Sequence, residues 1–138
     1  MSKKSGKIAE LIDQHRGQEL NAHYLGYFEC FNRQLFYEAH DVLEELWLPD
    51  RKGFNGDFFK GLIQLAGAFV HLQKNRLKPA AALFRLAEAN LKKYPLHHER
   101  LNIPGVLRVI EWWLAELEMN DFQKNPLAFG RTPELRLT

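Results

Sequence analysis

Leu35-Phe-Tyr-Glu-Ala-His-Asp-Val-Leu-Glu-Glu-Leu-Trp47 reads as an amphipathic helix, and the rest of the chain repeats its periodicity. At about 100° per residue, Phe36, His40, Leu43 and Trp47 fall within one narrow arc. The histidine therefore lies on the apolar stripe and not among the charges. Glu44 follows one turn later, at the i+4 spacing that brings side chains together. A polar pair at the edge of a buried face needs partners, because an unpaired buried polar group is costly.

Working outward, this helix (35–48) stops at the turn-rich Pro49-Asp-Arg-Lys-Gly53. The next helix, 56–74, carries Phe58, Leu62, Leu65, Ala66, Ala68, Phe69, Val70 and Leu72 around most of its circumference. A helix apolar on most sides is central in its fold. Its one polar stripe is Lys60, Gln64, His71 and Lys74, with Gly67 between them. Upstream, helices are expected at 7–15 and 19–33. Downstream they are expected at 78–93, with Pro79 in its first turn, and at 104–119. Strand alternation is nearly absent. Trp112 points away from the buried stripe of the last helix, so it lies under the tail or in an interface. The segment after Asn120 contains Pro126, Gly130 and Pro133 and reads as an irregular tail; Phe122, Leu127 and Phe129 suggest that it packs down. Asn32-Arg33 and Asn75-Arg76 each follow an apolar helix and open an amphipathic one. This faint echo looks like stacked helical hairpins, as in tetratricopeptide-type arrays.

The length of 138 residues suits one domain with a real core. We read residues 1–138 as a single helical domain, with a motif core at about 24–94 and the tail at about 120–138. The net charge of +2 gives no electrostatic argument for nucleic acid. Lys3, Lys4 and Lys7 form a basic cluster that reads as a solvated tail. The single cysteine, Cys30, allows no internal disulfide or multi-cysteine metal site, and among Phe28 and Phe31 it reads as an inert buried thiol. The longest apolar run is too short to span a bilayer, and the N-terminus lacks the apolar segment of a signal peptide. No membrane partner and a cytoplasmic location follow as expectations.

Two motifs are recognisable together. The first is Phe36-Tyr-Glu-Ala-His-Asp-Val-Leu-Glu-Glu-Leu-Trp47. The second is Phe59-Lys-Gly-Leu-Ile-Gln-Leu-Ala-Gly-Ala68, with His71 beyond it. The pair resembles domain-of-unknown-function family 309 over roughly residues 24–91. That resemblance implies a compact all-helical fold with helical hairpins and brings no established biochemical role.

If the two motif helices pack as an antiparallel pair, the edge bearing His40 and Glu44 faces the stripe bearing Gln64 and His71. Trp47 would form the wall of that groove. Three readings stay open. The first is a structural hydrogen-bond network that fixes helix register, with any interaction role elsewhere. The second is a metal site with His40, Glu44 and His71 as candidate ligands, although the spacing matches neither His-Glu-x-x-His nor the paired Glu-x-x-His of di-iron bundles. The third is a pocket for an organic ligand, in which Glu44 sets the His40 tautomer and leaves the other ring nitrogen for a substrate. Glu38, nearly opposite His40, reads as a helix charge. Asp41 and Glu45 read as a solvated acidic face, and His97-His98 as an exposed loop pair. His15 and His23 have no partner at helical spacing. No phosphate loop, nucleophile elbow or reactive cysteine is present.

The expected fold is all-α, a compact bundle of five to six helices built from antiparallel hairpins. The expected function is a ligand- or partner-binding module with a groove of His40, Glu44, Trp47, Gln64 and His71. The rival is a metal-assisted, hydrolase-like enzyme using His40 and Glu44. No cofactor or catalytic residue can be named, and the partner is a small ligand or a protein. Homo-oligomerisation is left open.

Overall fold

The computed structural model describes residues 3–138, with side chains from residue 6 onward. The Lys3 and Lys4 side chains of the basic cluster lie outside that description. The described residues form six α-helices: α1 (Lys3–Ile12), α2 (Ala22–Asn32), α3 (Phe36–Trp47), α4 (Gly56–Gln73), α5 (Leu77–Leu91) and α6 (Ile103–Met119). None is long and apolar enough to cross a membrane.

Packing follows chain order. α2 lies against α3, α3 against α4, α4 against α5 and α5 against α6. The expected hairpins are thus present, and α4 sits between α3 and α5. Phe69 of α4 is the hub of the core. Its ring meets Phe36 of α3 at 4.9 Å, Trp113 of α6 at 4.9 Å, Phe84 of α5 at 5.1 Å and Phe31 of α2 at 5.5 Å. Aromatic pairs at such separations add to plain area burial. α1 closes over α2 and α3 through Ile8, Ile12 and Val42. Gly26 permits that approach, since a β-carbon there would sit 2.8 Å from Ile12 Cγ2.

The helix ends explain the sequence echo. At α2, Leu35 N–H donates to the Cys30 carbonyl at 2.8 Å while Gln34 adopts φ +62°. At α4, Arg76 N–H donates to the His71 carbonyl at 2.8 Å while Asn75 adopts φ +56°. Each is a left-handed cap with the six-to-one hydrogen bond of the Schellman motif. The left-handed residue is Gln34 in one and Asn75 in the other, so the Asn-Arg pairs stand two positions out of register. α6 ends the same way, with Phe122 N–H donating to the Leu117 carbonyl at 2.9 Å and Asp121 at φ +49°.

The segment after α5 contains a small antiparallel hairpin, β1 (His97–His98) and β2 (Leu101–Asn102), too short to leave a strand signature in the sequence. Asn102 also caps α6, accepting from Gly105 N–H at 3.0 Å. The tail is more ordered than its composition suggests. A 3-10 turn covers Pro126–Phe129, Leu137 bridges to Leu101, and Leu135 is buried. Phe122 and Leu127 pack on the core as expected, whereas Phe129 stays exposed. Trp112 meets the tail through the Arg131 guanidinium, 5.4 Å over its ring, but stays exposed.

Candidate functional site

Between α3, α4 and the middle of α5 lies an open groove of about 310 Å³. α4 supplies its floor and one rim through Ile63, Gln64, Gly67, Val70 and His71, followed by its capping residue Lys74. These positions recur at three- and four-residue steps, which places them on one helix face. α3 adds Tyr37 and His40, and α5 adds Leu83. Gly67 gives the groove its depth: a β-carbon there would lie 3.2 Å from Leu83 Cδ1.

His40, Gln64 and His71 therefore line one groove. Glu44 and Trp47 do not. Trp47 packs against the core, and its indole Nε1 is buried with no hydrogen-bond partner. Glu44 stands beside His40 on α3, its Oε2 3.7 Å from His40 Nε2, while Asp41 Oδ1 lies 3.1 Å from His40 Nδ1. Both ring nitrogens of His40 thus face carboxylates. The ring is held in place, which differs from the expected arrangement in which one nitrogen stays available.

Gln64 Oε1 accepts from Asn90 Nδ2 at 2.8 Å. Asn90 Oδ1 in turn accepts from Lys93 Nζ at 3.0 Å, and Lys93 pairs with Asp57 at 2.9 Å. This ladder ties α4 to α5 and leaves the Gln64 amide its N–H donors. His71 behaves differently. Its Nδ1 is buried with no hydrogen-bond partner. Burial holds its pKa below the ordinary 6.5, and the nearby Arg76 and Lys74 charges push the same way. The ring is accordingly neutral at pH 7, with one donor nitrogen and one acceptor nitrogen.

Several charged residues find partners that helical spacing could not reveal. His15 Nε2 lies 2.7 Å from Glu29 Oε2, and His23 Nε2 lies 3.0 Å from Glu45 Oε1. The expected acidic face on α3 is therefore engaged, and the Asp41 side chain is only 14% exposed. His98 Nε2 meets Asn55 Oδ1 at 2.7 Å and its ring packs on Phe58 at 4.8 Å, so His98 is structural and not idle, whereas His97 is exposed as expected. Cys30 is buried, and its thiol is pushed up to about 11 by desolvation and the neighbouring acidic side chains of Glu29 and Glu38. Among the described residues no group of three or more His, Cys, Asp or Glu side chains is arranged to hold a metal ion.

Fold and groove define an all-helical protein with an open groove of mixed polar and apolar lining between α3, α4 and α5. Residues 24–83 match the model of the family described as Domain of unknown function (DUF309), the family that the two motifs resemble. Every residue lining the groove falls inside the matched segment, whereas α1, α6 and the tail fall outside it. No curated protein and no solved structure matches the chain.

Proposed function

We propose that this protein is a binding module whose groove between α3, α4 and α5 receives a small ligand. One observation carries the reading: His40, Gln64 and His71, from two helices, converge on a groove walled by Ile63, Val70 and Leu83. Apolar walls with a few convergent polar groups are what small-molecule sites have in common, and the volume stands at the low end of their range. Buried polar atoms without partners cost stability, and His71 Nδ1 is one such atom, alongside Trp47 Nε1 away from the groove. We take residues 1–138 as one helical domain, supported by a core that runs from α2 to Leu135 in the tail. A cytoplasmic setting is in keeping with the buried free thiol of Cys30.

The hydrolase-like alternative draws less support. Its two residues, His40 and Glu44, approach each other, but Glu44 stays off the groove lining. A purely structural network accounts for the Gln64–Asn90 pair and leaves His71 unexplained.

The test is a ligand-observed NMR screen of small fragments against the full chain and two variants. Gly67→Leu fills the groove, and Tyr37→Ala removes an exposed wall residue at no cost to the core. We expect hits that both variants weaken. Hits indifferent to both variants would sink the assignment of this groove.

A further inference from the structure

We propose that the groove selects a small organic carboxylate, its acid group held at the Lys74–His71 end and its apolar body over Ile63, Val70 and Leu83. The inference rests on the ligand-binding reading and adds the charge and shape of the ligand.

The lining carries donors and no carboxylate. Lys74 offers an ammonium, Gln64 its amide N–H groups, His71 one ring N–H and Tyr37 a hydroxyl. An acceptor-rich ligand satisfies all of these, whereas a cationic one satisfies none of the N–H donors. The groove is also polarised along its length. Asp41 and Glu44 flank His40 at the α3 side, outside the lining, and Lys74 and Arg76 stand at the end of α4. Burial and then the cationic charges of Arg76 and Lys74 disfavour a proton on His71, and those same charges favour an anion beside it. An acid group is therefore driven away from His40 and toward Lys74.

The end of a helix carries partial negative charge on its free carbonyls, which opposes an anion. Here three of the carbonyls in the last turn, those of Val70, His71 and Leu72, are occupied. Val70 and His71 accept from Lys74 N–H, His71 also from Arg76 N–H, and Leu72 from Asn75 N–H and from Asn125 Nδ2 at 2.6 Å. With that field blunted, the ammonium of Lys74 dominates the end of the groove. Because Lys74 is exposed, its attraction is screened by salt.

Three matched probes test this on the full chain: phenylacetate, its neutral amide phenylacetamide, and the cation phenethylamine. Binding is followed by backbone amide NMR shifts at Gly67 and His71, at low and high salt. Phenylacetate should bind about tenfold more tightly than the amide. Lys74→Gln, an exposed change, should bring the two to parity, and high salt should do the same. Equal or tighter binding of the amide or the amine, with shifts at Gly67, overturns the carboxylate assignment and keeps the ligand groove. A carboxylate preference that survives Lys74→Gln overturns the role given to Lys74. No shift at Gly67 or His71 with any of the three probes at millimolar concentration overturns both this inference and the ligand-binding reading beneath it.

Discussion

At the residue scale, the two groove histidines have the same side chain and opposite surroundings. His40 lies between Asp41 and Glu44, and its two nitrogens are directed at carboxylates. His71 stands near Lys74 and Arg76 with a buried, unpartnered nitrogen. The first is a fixed wall. The second is a neutral ring beside cationic charges, able to give or take one hydrogen bond. This has a consequence for stability. Because the folded pKa of His71 is lowered, the folded state favours the neutral ring and the unfolded chain binds the proton more readily. The stabilisation is fully present above 6.5, the ordinary value, and is lost as pH falls through the depressed folded value. Urea unfolding midpoints of the wild type should therefore fall between about pH 7 and pH 5 more steeply than those of His71→Gln. Parallel curves for the two proteins would refute the depressed value.

At the element scale, α4 does two jobs with two glycines. Gly61 faces α5 at close range: a β-carbon there would lie 3.0 Å from Leu91 Cγ and 3.2 Å from Asn90 Cβ. Those atoms are near the α5 backbone and cannot move aside. Gly67 faces the groove, and its single neighbour within reach is Leu83 Cδ1, the far end of a half-buried side chain. The same substitution should thus have opposite signs. Gly61→Ala forces the helices apart and should cost about 1–3 kcal/mol. Gly67→Ala gains helix propensity of up to about 1 kcal/mol, minus a small displacement of Leu83, and should be neutral or stabilising. Urea denaturation of both variants checks this, and a destabilised Gly67→Ala alongside a neutral Gly61→Ala would reverse the assignment. Gly67 is then present for the space it leaves open, whereas Gly61 is present for contact.

At the scale of the whole molecule, the tail is fastened at three places far apart in sequence. Asn32 at the end of α2 makes a two-way clamp: its Nδ2 donates to the Leu135 carbonyl at 2.7 Å and its Oδ1 accepts from Leu135 N–H at 2.8 Å. Arg100 in the hairpin turn donates through Nε to the Thr138 carbonyl at 2.8 Å. Asn125 is buried and donates to Leu72 at the end of α4. The tail contacts α6, the hairpin and the ends of α2 and α4, and it supplies no residue to the lining of the α3–α4 groove. Replacing Asn32 with alanine should cost about 1–2 kcal/mol, since both polar groups of Leu135 lose their partner. Hydrogen exchange should rise at the Leu135 and Thr138 amides and stay unchanged in α4. Uniform acceleration across the core, α4 included, would mean that the tail and the helices unfold together and not in steps.

The helices and the central place of α4 were legible from local chemistry. Apolar residues at three- and four-residue spacing specify a helix and its inner face within the segment itself, and Pro49 and Pro79 mark a stop and a start. The convergence of His40, Gln64 and His71 on one groove followed from pairing two such faces across a short loop. Glu44 and Trp47 were misplaced because a helix wheel gives an angle and not a depth: Trp47 turned into the core, and Glu44 stayed beside His40 without reaching the opening. The ion pairs His15–Glu29 and His23–Glu45, the Asn32 clamp on Leu135 and the Gln64–Asn90 ladder were beyond sequence reasoning. Each joins residues whose proximity is set by the packing of separate helices, or of helix and tail, and no local spacing encodes it. Sequence periodicity determined which residues face inward. Only tertiary packing decided which of them meet.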